Sequence, residues 1–91
     1  MGTQSDDGRA WRVTSPQEGA RYVIDPVLPR AQQVLPLEAD HPFPDRLHWY
    51  LNGRRLQGEL PIRWALERGN WVLRVHEPHT GVEINQSFVV E

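Results

Sequence analysis

The chain has 91 residues, of which 38% are hydrophobic, and its formal net charge at pH 7 is −2. This length suffices for one small domain, and the charge gives no electrostatic basis for binding nucleic acid, which requires a basic face. The sequence has no cysteine and no lysine, which excludes disulfides, thiolate chemistry and catalysis by a lysine amine of this chain. No apolar run is long enough for a bilayer, so we expect no direct membrane insertion.

The segment MGTQSDDGRA at the start is polar, small and acidic. It lacks the basic and apolar regions of a signal peptide. We expect residues 1–9 to be a disordered linker or a remnant of an expressed fragment, and residues 10–91 to form the domain.

Short alternating patterns predict three strands in the first half of the chain. The first strand begins at Trp11, the second spans Tyr22–Ile24, and the third lies in the segment QQVLPLEA, where Leu35, Leu37 and Ala39 share one face. Pro36 has no N–H for a ladder, which predicts that this third strand is at a sheet edge or is bulged.

The segment Arg46–Leu51 is the clearest predicted strand. Leu47, Trp49 and Leu51 alternate with His48 and Tyr50, so the first three share one face and the other two share the opposite face. Asn52-Gly53 then predicts a two-residue hairpin, and Arg54 and Arg55 are read as solvated charges beyond it. Trp49 is therefore predicted to lie in the core between two sheets.

The second half of the chain predicts three more strands. Ile62, Trp64 and Leu66 alternate, although Pro61 would also suit the first turn of a helix, so strand and helix both stay open for Leu60–Arg68. Trp71, Leu73 and Val75 then alternate with Val72, Arg74 and His76, and the segment Val82–Val90 closes the chain with Phe88 and Val90 inward. About seven short strands with turn residues between them predict an antiparallel β-sandwich.

The order of these motifs resembles the C-terminal domain of bifunctional penicillin-binding proteins of the 1C type. The resemblance covers nearly all of Trp11–Val90, and departs from the family where Trp71 replaces a histidine and Glu77-Pro78 replaces an acidic turn start. The residues that fit the family's blocks are Ser15, Pro16, Gly19, Trp49, Tyr50, Gly53, Gly69, Leu73, Val75, Gly81, Phe88 and Val90.

This resemblance implies an immunoglobulin-like β-sandwich that is a non-catalytic accessory module. The implied parent is a periplasmic synthase, anchored in the bacterial inner membrane, whose glycosyltransferase and transpeptidase polymerise and cross-link peptidoglycan. The transpeptidase signature needs a serine followed by a lysine three residues on, and this chain has no lysine. We therefore expect no catalytic, cofactor-binding or metal-binding residue here.

An immunoglobulin-like pairing of the two central strands predicts one candidate binding site. It would place His48, Tyr50, Val72, Arg74 and His76 together on the outer sheet face, as a patch able to contact a glycan or peptide-stem carboxylates. Ordinary solvated residues are the alternative. His76, Glu77, His79 and Glu83 invite a metal interpretation, which we reject because they straddle a strand end and a turn.

Two kinds of function remain open at this stage. The domain would position a cell-wall synthase by binding peptidoglycan, the parent transpeptidase domain or another cell-wall protein, through the patch or through an edge at the Pro36 strand or at Val82–Val90. The alternative is a free-standing carbohydrate-binding or adhesion sandwich unrelated to a penicillin-binding protein.

Overall fold

The structure is a computed structural model that describes residues 11–91, so the linker predicted at residues 1–9 lies outside the described residues. The described part contains no α-helix, which confirms the predicted all-β fold. It has eight strands: β1 (Val13–Ser15), β2 (Ala20–Tyr22), β3 (Val34–Ala39), β4 (His48–Leu51), β5 (Arg54–Leu56), β6 (Ile62–Ala65), β7 (Gly69–His76) and β8 (Glu83–Val90). Short 3-10 turns at Arg30–Gln32 and Pro44–Arg46 interrupt two connections.

The strands form two sheets, ordered β1-β3-β6 and β2-β8-β7-β4-β5. The orders β1-β3-β6 and β8-β7-β4 correspond to strands A-B-E and G-F-C of the immunoglobulin fold, as predicted. One ladder differs from the expected antiparallel arrangement, because β2 pairs parallel with the end of β8. These two strands are far apart in sequence, so no hairpin imposes the antiparallel direction on them.

The core lies between the inner faces of the two sheets. Trp49 is 3% exposed, which confirms its predicted place in the core. Leu73 and Val75 of β7 are fully buried. Leu37 of β3 is also fully buried and belongs to the same hydrophobic core, on the side of the smaller sheet. Trp71, which shares the face of Leu73 and Val75, is half-buried and packs edge-on against Trp64 at 4.8 Å between ring centroids.

The hairpin between β4 and β5 sets the register of the larger sheet. Asn52 and Gly53 have φ of 50° and 84°, the two positive values that a type I′ turn requires. The Asn52 side chain also joins the hairpin to β7, because its Oδ1 accepts the Val72 N–H at 2.8 Å and its Nδ2 donates to the Asn70 carbonyl at 3.2 Å.

Two predicted strand positions are corrected or decided by the structure. The second strand is Ala20–Tyr22 instead of Tyr22–Ile24, because its ladder with β8 begins at Ala20. The segment Leu60–Arg68 contains the strand β6 and no helix, since Ile62–Ala65 pairs antiparallel with β3.

The predicted edge positions were wrong, because both strands have neighbours on both sides, and the irregularity of the β1–β3 ladder lies between Val13 and Ser15 instead of at Pro36. β3 is flanked by β1 and β6, and β8 by β2 and β7. Pro36 is tolerated because the β1 ladder ends at Ser15↔Glu38. The Pro36 carbonyl accepts a hydrogen bond from Ser15 Oγ at 2.6 Å instead. The N and C=O of a strand residue point to the same side of the strand, so the Pro36 nitrogen faces β1. The ladder with β1 has already ended there, and no hydrogen-bond donor is needed at Pro36.

Candidate functional site

The structure brings the five predicted site residues together on the outer face of the larger sheet. β4 and β7 are neighbours, and their register pairs His48 with His76 and Tyr50 with Arg74. Val72 continues the same face of β7 and is 42% exposed. We call His48, Tyr50, Val72, Arg74 and His76 the outer-face patch.

A cation and an aromatic ring contact each other at the centre of the patch. The Arg74 guanidinium lies over the Tyr50 ring, 4.4 Å from the centroid, and its Nη1 is 3.8 Å from a carboxylate oxygen of Glu83. Cation–π contacts at exposed sites stabilise by about 0.5–1 kcal/mol. The guanidinium covers one face of the ring that a sugar would use for stacking, so this geometry favours polar recognition by Arg74 over aromatic stacking.

Arg55 extends the patch, and the sequence interpretation missed it by treating it as a hairpin charge. Its register with Tyr50 places it on the same face, next to the patch. The signal was present, because a two-residue turn at Asn52-Gly53 fixes which residues face each other. Arg55 and Arg74 therefore lie on either side of Tyr50, with Glu83 as the acidic neighbour of the group.

The two patch histidines also face each other. The imidazole centroids of His48 and His76 are 6.1 Å apart, and Glu83 of β8 lies opposite His76 in the β7–β8 ladder. Within residues 11–91, no group of three histidine, aspartate or glutamate side chains is arranged to hold a metal ion.

Glu77, the other acidic residue near these histidines, has a structural role in the turn from β7 to β8. Its Oε1 accepts hydrogen bonds from the Thr80 N–H at 2.7 Å and the Thr80 hydroxyl at 2.8 Å. Burial is the largest single influence and raises the pKa of Glu77, but the bonds from Thr80 and the proximity of His79 together outweigh it. The net pKa is therefore lower than the ordinary value of 4.5.

A second concave region lies on the inner side of β4, between the connections 40–47 and 57–61. Two cavities of about 390 and 250 Å³ share Pro44, Trp49 and Leu60 in their lining. We call them together the Trp49 cavity. Among the described residues, the Trp49 Nε1–H is the only buried side-chain polar group without a hydrogen-bond partner. Leaving such a donor unsatisfied costs about 1–3 kcal/mol, so this position requires an explanation.

The comparisons with known proteins identify the family. The sequence model of the Penicillin-Binding Protein C-terminus Family matches residues 1–79. The chain belongs to this family. Searches of curated proteins and of solved structures found no significant match.

Family membership supports the interpretation of the chain as an accessory domain of a penicillin-binding protein. The match ends at His79, so strand β8, which we assigned to the last block of the family by resemblance, lies beyond it. Patch residues from His48 to His76 all lie within the matched range. In residues 11–91, no helix is long and apolar enough to cross a membrane.

Proposed function

We propose that this penicillin-binding protein C-terminal domain is a non-catalytic module that positions its parent enzyme on peptidoglycan through the outer-face patch. The parent is a peptidoglycan glycosyltransferase and transpeptidase, anchored in the inner membrane, and the domain acts in the periplasm. The observation that carries the proposal is the cross-strand set in which Arg74 lies between Tyr50 and Glu83, with His48 and His76 beside it.

The chemistry of the patch favours an anionic ligand. Arg55 and Arg74 flank Tyr50, and guanidinium groups bind carboxylates through two parallel hydrogen bonds. The 3.8 Å contact of Arg74 with Glu83 is longer than a hydrogen bond and is solvent-exposed, so it holds Arg74 weakly. A peptide-stem carboxylate can replace Glu83 as the partner of Arg74. Tyr50 then contributes the ring on which the guanidinium rests.

Two features of the chain support a non-catalytic role. The absence of lysine means that the Ser-x-x-Lys set of a transpeptidase is not formed within this chain. Glu77, the acidic residue with a lowered pKa, directs its carboxylate to Thr80 within its own turn instead of towards a cleft. The titratable groups at the patch are exposed or half-buried on a sheet face, an arrangement that suits binding.

The proposal is tested by sedimenting the domain with purified sacculi. We expect Arg74→Ala to lower the retained fraction, with a two- to fivefold weaker affinity, because one exposed charge contact contributes about 0.2–1 kcal/mol. Arg21→Ala is the matched control. Arg21 is an exposed arginine of strand β2, at the edge of the same sheet away from the patch, and it forms an ion pair with Glu91 at 3.0 Å. Equal retention of Arg74→Ala and the unchanged domain contradicts the proposal.

Amide shifts during a titration with muropeptides decide where the ligand binds. Shifts concentrated at His48, Tyr50, Arg74 and His76 support the patch. If muropeptides cause no amide shifts but the domain binds the purified transpeptidase domain, the domain positions the enzyme by protein docking instead. The free-standing adhesion alternative predicts no Ser-x-x-Lys block encoded upstream of this domain, and family membership argues against it.

A further inference from the structure

The Trp49 cavity lies where the sandwich is open at its side. β5 is an edge strand of the larger sheet and β6 an edge strand of the smaller one. Leu56 and Ile62, from these two strands, both line the cavity. Residues 57–61 connect these two edge strands without forming a strand of their own. The smaller sheet therefore has no fourth strand beyond β6 to cover the gap between the two sheets.

Apolar side chains form part of the cavity wall, and the size of the cavity suits a small ligand. Leu37, Leu47 and Leu60 line it beside Trp49 and Pro44. Its larger part, at about 390 Å³, is within the range of ligand-binding clefts, which combine hydrophobic walls with a few polar groups.

The Trp49 indole supplies a polar group that the protein itself leaves unused. Its N–H is enclosed and has no acceptor among the described residues, although buried donors in proteins are nearly always paired. A ligand that brings an acceptor therefore restores a missing hydrogen bond. Because Nε1 is enclosed, this contact requires a small movement of the wall. Within residues 11–91, no backbone–backbone hydrogen bond outside the strand ladders involves residues 57–61, so we expect this connection to make that movement.

The charged residues around the cavity favour a cationic group on the ligand. Asp45 and Glu59 line its larger part, whereas the register with Tyr50 places the Arg55 side chain on the outer face. This excess of carboxylates attracts a positive group and disfavours an anion. The preference is opposite to that of the outer-face patch, on the other side of the same strand.

We propose that the Trp49 cavity binds an aminoacyl group: an aliphatic side chain, a carbonyl acceptor and a primary ammonium group. The aliphatic side chain packs on Trp49 and Leu60, the carbonyl accepts the indole N–H, and the ammonium group lies between Asp45 and Glu59. This site is separate from the outer-face patch and does not depend on peptidoglycan binding there.

The test is a titration of the ¹⁵N-labelled 91-residue chain with leucinamide, which has all three features. We expect the Trp49 indole signal, assigned by its loss in Trp49→Phe, to move in a saturable way together with the amide signals of residues 57–60. Glycinamide lacks the side chain and should bind more than tenfold more weakly, because burying a leucine side chain is worth at least that factor. N-acetyl-leucinamide lacks the charge and should bind severalfold more weakly.

Variants separate the proposed contacts from general changes in the fold. Asp45→Asn combined with Glu59→Gln should weaken leucinamide binding about 5- to 10-fold, whereas Glu67→Gln, in the turn between β6 and β7 and outside the cavity lining, should leave it unchanged. If Trp49→Phe does not fold, this carboxylate pair still carries the test.

Three outcomes overturn the proposal. They are an unmoved Trp49 indole signal at the solubility limit of leucinamide, equal binding of leucinamide and N-acetyl-leucinamide, and saturable shifts that map only to the outer-face patch. The last of these leaves the proposed function standing, and loss of sacculus binding without loss of leucinamide binding leaves the cavity proposal standing.

Discussion

The two sheets of the sandwich are held together in different ways. In the larger sheet, β7 and β8 pair over eight residues from Gly69↔Val90 to His76↔Glu83, a two-residue turn joins β4 to β5, and residues 77–82 join β7 to β8. In the smaller sheet, β1 pairs with β3 at only two positions, with a shift of register between them. Side chains such as that of Ser15 supplement its ladder. The strands β4, β7 and β8 thus form a continuous part of the larger sheet that can present a site, and the smaller sheet mainly covers its inner face.

The largest effect should come from removing a leucine side chain from either sheet. Leu73 in β7 and Leu37 in β3 are both fully buried. Each substitution to alanine should lower the free energy of unfolding by about 2–5 kcal/mol, because it deletes core contacts and leaves a cavity. If the sheets share one core, urea unfolding followed by tryptophan fluorescence and by circular dichroism should give coincident transitions in both variants. Separate transitions in Leu37→Ala would show that the smaller sheet unfolds independently.

A smaller loss is expected from the hairpin that fixes the register of the larger sheet. Asn52→Ala removes two side-chain hydrogen bonds and places alanine at φ 50°, so it should destabilise by about 1–2 kcal/mol. Asn52→Gly is the matched control, since it keeps the backbone conformation and loses only the amide. Thermal unfolding of both variants should place Asn52→Gly between Asn52→Ala and the unchanged chain. A glycine variant less stable than the alanine variant would contradict the role of the positive φ.

The sequence predicted the strands β4, β5 and β7 of the larger sheet well, because their signals lie within short segments of the chain. The alternation in Arg46–Leu51, the turn Asn52-Gly53 and the alternation after Trp71 each report on neighbouring residues. The expected immunoglobulin-like architecture put β4 beside β7, and the structure places four of the patch residues opposite one another. The positions that the sequence left open or placed wrongly belong to strands whose partners are distant in the chain, namely β2 and β8 in the larger sheet and β3 and β6 in the smaller one. A strand such as β3 is central when other strands pair on both of its sides, and those partners are distant in the chain. Pro36 indicated an edge, but β1 pairs with β3, and Ser15, 21 residues before Pro36, donates a hydrogen bond to its carbonyl.

The Trp49 cavity was not predictable from sequence for a related reason. Alternation predicts that Trp49 points inward, and it does. It cannot predict whether the partner sheet supplies an acceptor for the indole or leaves a gap beside it. That outcome depends on the connection 57–61, whose length and composition specify no strand.

The supplementary bond in the smaller sheet should have a measurable effect of its own. Ser15→Ala removes the 2.6 Å hydrogen bond to the Pro36 carbonyl in a half-buried position, and should destabilise by about 1 kcal/mol. Thr14→Ala is the control, because Thr14 is exposed on the same strand and should change the stability by less than about 0.5 kcal/mol. Urea midpoints at constant m-value compare the two. Equal midpoints would mean that the ladder alone holds β1 on β3.

The smallest effect should come from the turn that closes the larger sheet, and it should depend on pH. Glu77→Gln keeps an acceptor oxygen for Thr80 but loses the negative charge. The pKa of Glu77 is lower in the folded chain than the ordinary 4.5. The folded state therefore binds protons less readily there than the unfolded state, and ionised Glu77 stabilises the fold above this ordinary value. As the pH falls below 4.5 through the lower folded pKa, this stabilisation is lost. The unchanged chain should thus be more stable than Glu77→Gln near neutral pH and should converge with it in acid, as measured by urea unfolding across the pH range. A difference between them that stays constant down to the most acid pH would mean that the carboxylate charge plays no part in holding the turn.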